Sequence, residues 1–316
     1  WSSDVCSSDL FGNWLENLVD WNLSRSRYWG TPLPIWRTED GSEEICIGSL
    51  EQLKEEIEKA QASGALSDVQ TKGNAAFLQA LAAGEADLHR PFVDEVFLLS
   101  KSGNVLTREL DLIDVWFDSG AMPFAQWHYP FENQDIFKQS YPADFISEGV
   151  DQTRGWFFTL HAISSMVEDS VAFKNVVSTG LVLDKNGNKM SKRLGNAIDP
   201  FETLKSYGAD PTRWYMITNA QPWDNLKFDL AGITEVRNKF FGTLTNTYNF
   251  FAMYANLDGF VPAGIKEEDL TELDRWILSK LMNLIAEVDE SFETYEPTKA
   301  GRAIQDFVCD HLSNWY

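Results

Sequence analysis

Lys185, Lys189, Lys192 and Arg193 crowd into residues 184–193, D-K-N-G-N-K-M-S-K-R, of a chain whose formal net charge is −22. Cations gathered on one short stretch of an acidic protein call for an anion. Ammonium and guanidinium groups suit phosphate oxygens, above all where charge builds up during a reaction. The competing reading is a solvated hairpin tip, because short basic motifs often arise by chance. A second group that could do chemistry is Glu148-Gly149-Val150-Asp151-Gln152, which sets two carboxylates and an amide close together.

The surrounding pattern says how these groups are positioned. Val176, Val177, Leu181, Val182 and Leu183 read as strand, and Asn186-Gly187 is a turn signal. The cations are therefore expected on a loop after a strand. Phe145-Ile146-Ser147 reads as another short strand, followed by Glu148-Gly149 and a helical pattern over 153–167 that Asp151 is placed to cap. That order puts Glu148 and Asp151 at the carboxyl end of a strand, the rim where open α/β sheets hold ligands. Upstream, 92–99 and 104–106 flank Ser102-Gly103 as a hairpin. Segment 37–91 reads as an acidic, solvated helical excursion. Ser49 and Gln52 form its capping box, Leu53, Ile57 and Ala60 its inner face, and Glu55 and Lys59 an i,i+4 pair.

From about Gln221 the pattern is helical. Val236, Phe240, Leu244, Tyr248 and Phe251 make one apolar stripe. Leu273, Ile277, Leu281, Leu284 and Val288 make another, behind a cap at Thr271 and Asp274. Both stripes are expected to be bundle core. Phe307, Val308, Leu312 and Trp315 continue at helical spacing with no stop signal after them.

Several classes are excluded. Hydrophobic and charged fractions of 44% and 23% are those of a globular chain, and 316 residues suggest about two domains. No apolar run reaches the ~18 residues of a membrane helix, and no signal peptide is visible. Cys6, Cys46 and Cys309 are far apart, so no zinc spacing exists and a reducing cytoplasm fits. His89 stands alone and is read as structural. Neither G-x-G-x-x-G nor G-x-x-x-x-G-K-[ST] occurs. Asp184-Lys185-Asn186-Gly187 lacks the later ligands of a calcium loop. With 48 acidic against 26 basic residues, general DNA or RNA binding is disfavoured, although tRNA can be held by local basic patches and by shape.

Lys189-Met190-Ser191-Lys192-Arg193 resembles the KMSKS-type signature of class I aminoacyl-tRNA synthetases, with Arg in the last place. Residues 11–36, FGNWLENLVDWNLSRSRYWGTPLPIW, and the segments DVWFDSG and EGVDQTRGWFF within 114–158 belong to the same resemblance. Together they are similar to the isoleucine-specific members, with the valine-specific ones as nearest rivals. The resemblance runs from about Phe11 to the end and is weakest in the middle insertion. It implies an α/β fold: the C-terminal half of a Rossmann-like catalytic domain, followed by the start of a helical anticodon-binding bundle. The expected division is a non-native tail at 1–10, a catalytic portion at 11–219 with its insertion at about 37–91, and a stem-contact and helical portion at 220–316.

The implied reaction is ATP-dependent, with Mg²⁺ arriving on the nucleotide. Isoleucine attacks the α-phosphate, pyrophosphate leaves, and the acyl group passes to tRNA(Ile). No protein nucleophile is required; the work is positioning and charge stabilisation. Carried onto this sequence, Lys189 and Lys192 are the catalytic cations, with Lys192 the stronger assignment. Glu148, Gly149, Asp151, Gln152, Lys189, Met190, Ser191, Lys192 and Arg193 bind ATP or the adenylate. Glu148 contacts the adenylate, Asp151 and Gln152 are expected at the ribose and carboxylate end, and Asp151 is equally readable as only a helix cap or as both. Val150 and Thr153 depart from the common pattern beside these positions. Trp116 and Trp156 shape the side-chain pocket, unless both are simply core. Arg237, Lys239 and Arg275 could touch tRNA or be plain solvated charge. No resident metal, membrane or DNA is expected, and the location implied is cytoplasmic.

The partner signature, H-x-G-H, is absent, since His89, His128, His161 and His311 never stand at that spacing. The polypeptide is therefore expected to be an internal fragment that lacks the N-terminal nucleotide-binding half and the editing domain, and to be inactive alone. A valyl enzyme and a non-catalytic tRNA-binding paralogue stay open as alternatives.

Overall fold

The computed structural model describes residues 12–13, 15–264 and 266–316. The expected tail at 1–10 lies outside them. Two compact units form: the chain up to Ala143 together with Gln152–Lys174, and Asp144–Asp151 together with Asn175–Tyr316.

In the first unit, β1 (Ser24–Arg25) precedes β2 (Ile35–Arg37) and β3 (Glu44–Cys46). Helices α1 (Leu50–Ser63) and α2 (Asp68–Ala83) follow, then β4 (Leu98–Leu99), β5 (Val105–Arg108) and β6 (Leu112–Ile113). β3, β2, β5 and β4 make one antiparallel sheet in that order, with Leu98 opposite Leu106 and Trp36 opposite Arg108. The two helices do not stand in solvent as the acidity of segment 37–91 suggests. Leu53, Ile57 and Phe77 enter one core with Trp36, Val96, Leu98 and Leu106. Burying side chains of this size is worth about 1.5–3 kcal/mol each, and the charged outer face stays in water meanwhile. Asn74, fully buried on α2, mimics a strand: its amide donates to the carbonyl of Phe97 and accepts from the Phe97 N–H, both at 2.8 Å.

Local expectations fare unevenly here. Ser49 caps α1 through the Gln52 N–H, but the Gln52 side chain reaches back to the Gly48 N–H instead of closing a box on Ser49. Lys59 pairs with Glu56 at 2.6 Å, one residue nearer than Glu55. Only the end of the expected 92–99 strand is strand, because Phe92–Glu95 is a 3₁₀ turn. His89 stacks on Trp29, with ring centroids 4.7 Å apart, and bonds Asp87.

β1 and β6 pair antiparallel and lead into α3 (Val115–Gly120), capped by Asp114. That buried carboxylate also accepts from the Trp21 indole at 2.9 Å and pairs with Arg25 at 2.6 Å. Trp21 and Arg25 are thus tied to the first residue of D-V-W-F-D-S-G. α4 (Gln134–Ser140) brings Phe137 to Phe124 and to Ile163 of α5 (Trp156–Glu168), and α3 packs on α5.

In the second unit, β7 (Ala143–Gly149) lies beside β8 (Phe173–Thr179), whose last residues belong here. After Gly180 comes β9 (Val182–Leu183), parallel to β10 (Leu226–Lys227), with Val182 opposite Leu226 and Leu183 opposite Lys227. Gly180 has no room for a side chain, since a Cβ there would collide with the Asp224 carbonyl. That close approach breaks the long apolar run into two strands. Helices α6 (Pro200–Tyr207), α7 (Ala209–Asn219) and α8 (Leu230–Glu235) surround a core of Tyr215, Leu226, Phe228 and Ile233.

Past α8, a π turn (Val236–Phe241) leads into α9 (Gly242–Leu257), followed by α10 (Glu272–Glu293) and α11 (Pro297–Asp306). Thr271 and Asp274 do form the capping box of α10. The stripes are only partly core. Phe240 and Ile277 are buried, whereas Tyr248 and Phe251 are 65% and 56% exposed and Leu273 and Leu281 also face solvent. Periodicity reports which face is apolar, not whether a neighbour covers it. α11 packs on α7 through specific bonds. The buried Thr298 hydroxyl donates to the carbonyls of Ile217 and Ala220, and Arg302 Nε donates to that of Thr218, satisfying the C-terminal carbonyls of α7.

Candidate functional site

The basic loop is built around a buried carboxylate. Asp184, at the end of β9, accepts on Oδ1 from the N–H groups of Asn186 and Asn188, at 2.9 and 2.8 Å. Its Oδ2 accepts from the side-chain amide of Asn196 at 3.0 Å. The same Asn196 amide donates to the Lys189 carbonyl at 3.2 Å, and its Oδ1 accepts from the Ser191 N–H at 2.9 Å. One carboxylate and one amide thus tie together both ends of 184–196. The bond from Asn196, then those from Asn188 and Asn186, hold the Asp184 carboxyl at about 2, well below its ordinary 3.8, with burial opposing.

The turn itself is tight. Gly187 has φ +89 and donates to the Asp184 carbonyl at 2.9 Å, while Leu183 and Lys189 bridge as an antiparallel pair. Ser191 caps the short 3₁₀ helix Lys192–Leu194 through the Arg193 N–H. Met190 turns inward and packs on the Tyr215, Leu226, Phe228 and Ile233 cluster. It anchors the loop to the core.

The cations are left available. Every donor to Asp184 is a neutral amide or main-chain N–H, so its charge is satisfied without a lysine. Lys185, Lys189, Lys192 and Arg193 are exposed, and among the described residues none forms an ion pair. In a chain of net charge −22 that is an unusual concentration of free positive charge. Exposed groups of this kind can form charge-assisted hydrogen bonds to a multiply charged anion.

Glu148 and Gly149 end β7, as the strand-turn pattern expects, with the Glu148 carboxylate exposed. The space over Gly149 is taken by its own neighbour: a Cβ there would lie 2.6 Å from Asp151 Oδ1. Asp151 is not the cap of α5. It lies in a 3₁₀ turn (Val150–Arg154), and Gly155 occupies the N-cap position. The Gln152 side chain takes the capping role instead, accepting from the Trp156 N–H at 3.1 Å. The 3₁₀ turn delays the helix by three residues, which shifts the cap along the chain.

The site residues fall in two groups. Glu148, Gly149, Asp151, Lys189, Met190, Ser191, Lys192 and Arg193 belong to the second unit, and Trp116, Gln152 and Trp156 to the first. Within the first, the Trp116 ring rests against Gly155, 3.2 Å from where a Cβ would stand, and is 42% exposed. The Trp156 indole donates to the Ser119 carbonyl at 3.0 Å. The two tryptophans therefore come together at the start of α5, with Trp156 fixed by its bond and Trp116 presenting an open face. Of the proposed tRNA cations, Lys239 pairs with Glu235 at 2.6 Å, Arg237 lies over the Tyr207 ring, and Arg275 donates to the carbonyls of Leu270 and Glu267.

Asp184 and Asn196 were not singled out from sequence as holding the loop. The available signal was the D-x-N-x-N spacing of Asp184, Asn186 and Asn188, which suggests an Asx-type turn. Nothing local marks Asn196, twelve residues on. Among the described residues no cluster of three His, Cys, Asp or Glu could hold a metal, and no helix is long and apolar enough to cross a membrane.

Residues 1–229 match the family of tRNA synthetases class I (I, L, M and V), and 274–316 match the anticodon-binding domain of tRNA ligase. The chain belongs to the class I tRNA synthetases, with catalytic-domain sequence followed by anticodon-binding sequence. Its relatives narrow this further. It is 67% identical over 318 residues to an isoleucine--tRNA ligase of Cytophaga hutchinsonii and 63% identical over 332 residues to that of Porphyromonas gingivalis. It is 46% identical over 320 residues to the Thermus thermophilus isoleucine--tRNA ligase. These alignments cover all of this chain but only 27 to 28% of the length of those proteins.

Solved structures agree on the fold. The Agrobacterium radiobacter LeuRS–tRNA–LeuAMS complex matches 95% of this chain and 38% of its own, at TM-score 0.65 and 20% identity. Mycobacterium tuberculosis methionyl-tRNA synthetase with methionyl-adenylate matches 81% of this chain and 50% of its own, at TM-score 0.54 and 20% identity.

Proposed function

We propose that this chain forms part of an enzyme that activates isoleucine with ATP and transfers it to tRNA(Ile). The observation that carries the reading is the loop of free cations held by Asp184 and Asn196. Isoleucine carboxylate attacks the α-phosphate, the bond to the β-phosphate breaks, and pyrophosphate leaves. Lys189 and Lys192 close on the β- and γ-phosphates and stabilise the growing negative charge, while Ser191 and Arg193 assist. Mg²⁺ travels with ATP, ligated by phosphate and water. Glu148 accepts hydrogen bonds from the ammonium or ribose groups of the adenylate, and Asp151 stands near the ribose. Trp116 and Trp156 form the aliphatic pocket. A cytoplasmic setting goes with this reaction. The 63 to 67% identity to isoleucine--tRNA ligases supports the choice of amino acid.

The catalytic portion is assigned to 11–219 and the tRNA-contacting helical portion to 220–316. The test replaces the matching segment of the Cytophaga hutchinsonii protein with this chain and measures amino-acid-dependent ATP–pyrophosphate exchange. Isoleucine-dependent exchange that collapses with Lys192→Ala is the expected result. Preference for valine moves the assignment to a valyl enzyme, and no exchange from a folded protein favours a non-catalytic tRNA-binding paralogue. The 316-residue chain alone, without an H-x-G-H element, is expected to show no exchange.

A further inference from the structure

We propose that Lys227 is a fifth phosphate-binding cation, fixed on a strand where the other four ride a loop. The inference rests on the phosphate-binding reading of that loop. Lys227 ends β10, in parallel register with Leu183 at the end of β9, so it stands one strand spacing from the point where the basic loop begins. Its side chain lies over the Asn186-Gly187 turn. A Cβ on Gly187 would meet Lys227 Cε at 3.4 Å and Nζ at 4.0 Å. Those distances are ordinary van der Waals contact, so they place the Lys227 side chain directly against the turn, while φ +89 is what favours glycine at 187.

Two features separate Lys227 from an ordinary surface lysine. Its main chain is pinned: the Tyr215 hydroxyl donates to the Lys227 carbonyl at 2.9 Å and accepts from the Asp229 N–H at 3.2 Å, beneath a buried ring. Leu226 and Phe228, on either side, are buried and donate their N–H groups to Leu181 and Leu183. Its ammonium, like those of the loop, forms no ion pair among the described residues. An exposed cation on a rigid strand, against the turn of a loop rich in cations, raises the electrostatic cost of the empty site. A bound polyphosphate relieves that cost. Lys227 thus supplies a fixed point against which the loop cations close, and contacts the leaving pyrophosphate or the triphosphate tail of ATP.

The test is calorimetric titration of this chain with inorganic pyrophosphate at low and high ionic strength, for the parent, Lys227→Met, Lys227→Arg and Lys192→Ala. Lys227→Met is expected to weaken binding roughly five- to tenfold at low salt, and to make the affinity less salt-dependent with an unchanged melting temperature. Lys227→Arg keeps most of the affinity. If Lys192→Ala weakens binding while Lys227→Met leaves both affinity and salt dependence unchanged, the assignment of Lys227 falls and the loop reading stands. If neither variant changes the affinity, both fall. If Lys227→Met and Lys227→Arg weaken binding equally, with a lowered melting temperature, Lys227 is a packing residue and the proposal is overturned.

Discussion

Asp94 and Asp184 are aspartates with low exposure in different units, and they are satisfied in opposite ways. Asp94 is held by Arg90 at 2.8 Å and by the almost fully buried guanidinium of Arg108. Charge meets charge there, and Arg108 also donates to the carbonyls of Leu33 and Asp111. Asp184 is satisfied by asparagine amides and main-chain N–H groups alone. Positive charge is consumed at the first site to hold the sheet and its flanking loops, and spared at the second. The exposed cations beside Asp184 form no ion pair among the described residues, and the proposed phosphate role builds on that.

This contrast can be broken from the Asp94 side first. Arg108→Met leaves a carboxylate with one partner fewer in a confined place. It should lower stability by about 3–5 kcal/mol, read by urea denaturation, with no specific loss of pyrophosphate affinity if the protein is kept folded at low temperature. A stability loss below about 1 kcal/mol would remove the distinction between the two sites.

On the Asp184 side the effects should reverse. Lys192→Ala should reduce isoleucine-dependent exchange about 10²- to 10³-fold in the full-length graft, with an unchanged melting temperature, because the group acts on transition-state charge and not on the fold. Asn196→Ala is expected to cost less, about tenfold in exchange, since it loosens the loop without removing a cation.

The pH response sharpens the same point. Asp184 titrates at about 2 in the folded chain against 3.8 ordinarily. A carboxylate depressed in this way contributes its full stabilisation above 3.8 and loses it as pH falls through about 2. The 184–196 loop should therefore keep its arrangement at pH 3.5, and its carboxyl ¹³C resonance should titrate near 2. A midpoint near 3.8 would mean that the amide cage is not formed. The smallest effect is expected at the surface: removing the Lys59 ammonium, which meets Glu56 on an exposed helix face, should leave melting and exchange unchanged.

The two sites also differ in how far they could be read from sequence. The strand before the basic loop, the Asn186-Gly187 turn, the cations and Glu148 at a strand end were all legible, because each is a local pattern of three to ten residues. The family was legible from the same motifs. Asn196 was not, since its role is to reach back across the loop. The cap of α5 moved from Asp151 to Gly155 with Gln152 assisting, because a 3₁₀ turn intervenes and propensity does not distinguish it from the first turn of an α-helix. Helices α1 and α2 were read as solvated because segment 37–91 is acidic as a whole, although α2 itself carries only Asp68 and Lys72 as charged residues. Leu53, Ile57 and Phe77 pack into one core with Trp36, Leu98 and Leu106 of the sheet, and that burial decides the matter. The stripe on α9 failed in the other direction: it is apolar at helical spacing, yet Tyr248 and Phe251 are exposed.

The central claim is that Asp184 and Asn196 exist to present Lys189 and Lys192 to phosphate. The most direct test is a double-mutant cycle of Asn196→Ala and Lys192→Ala, read by isoleucine-dependent ATP–pyrophosphate exchange in the full-length graft. If Asn196 acts through the loop cations, the double variant should be little worse than Lys192→Ala alone, a strongly non-additive cycle. Full additivity, with Asn196→Ala costing the same whether or not Lys192 is present, would contradict the account and make the amide clamp a feature of the fold alone.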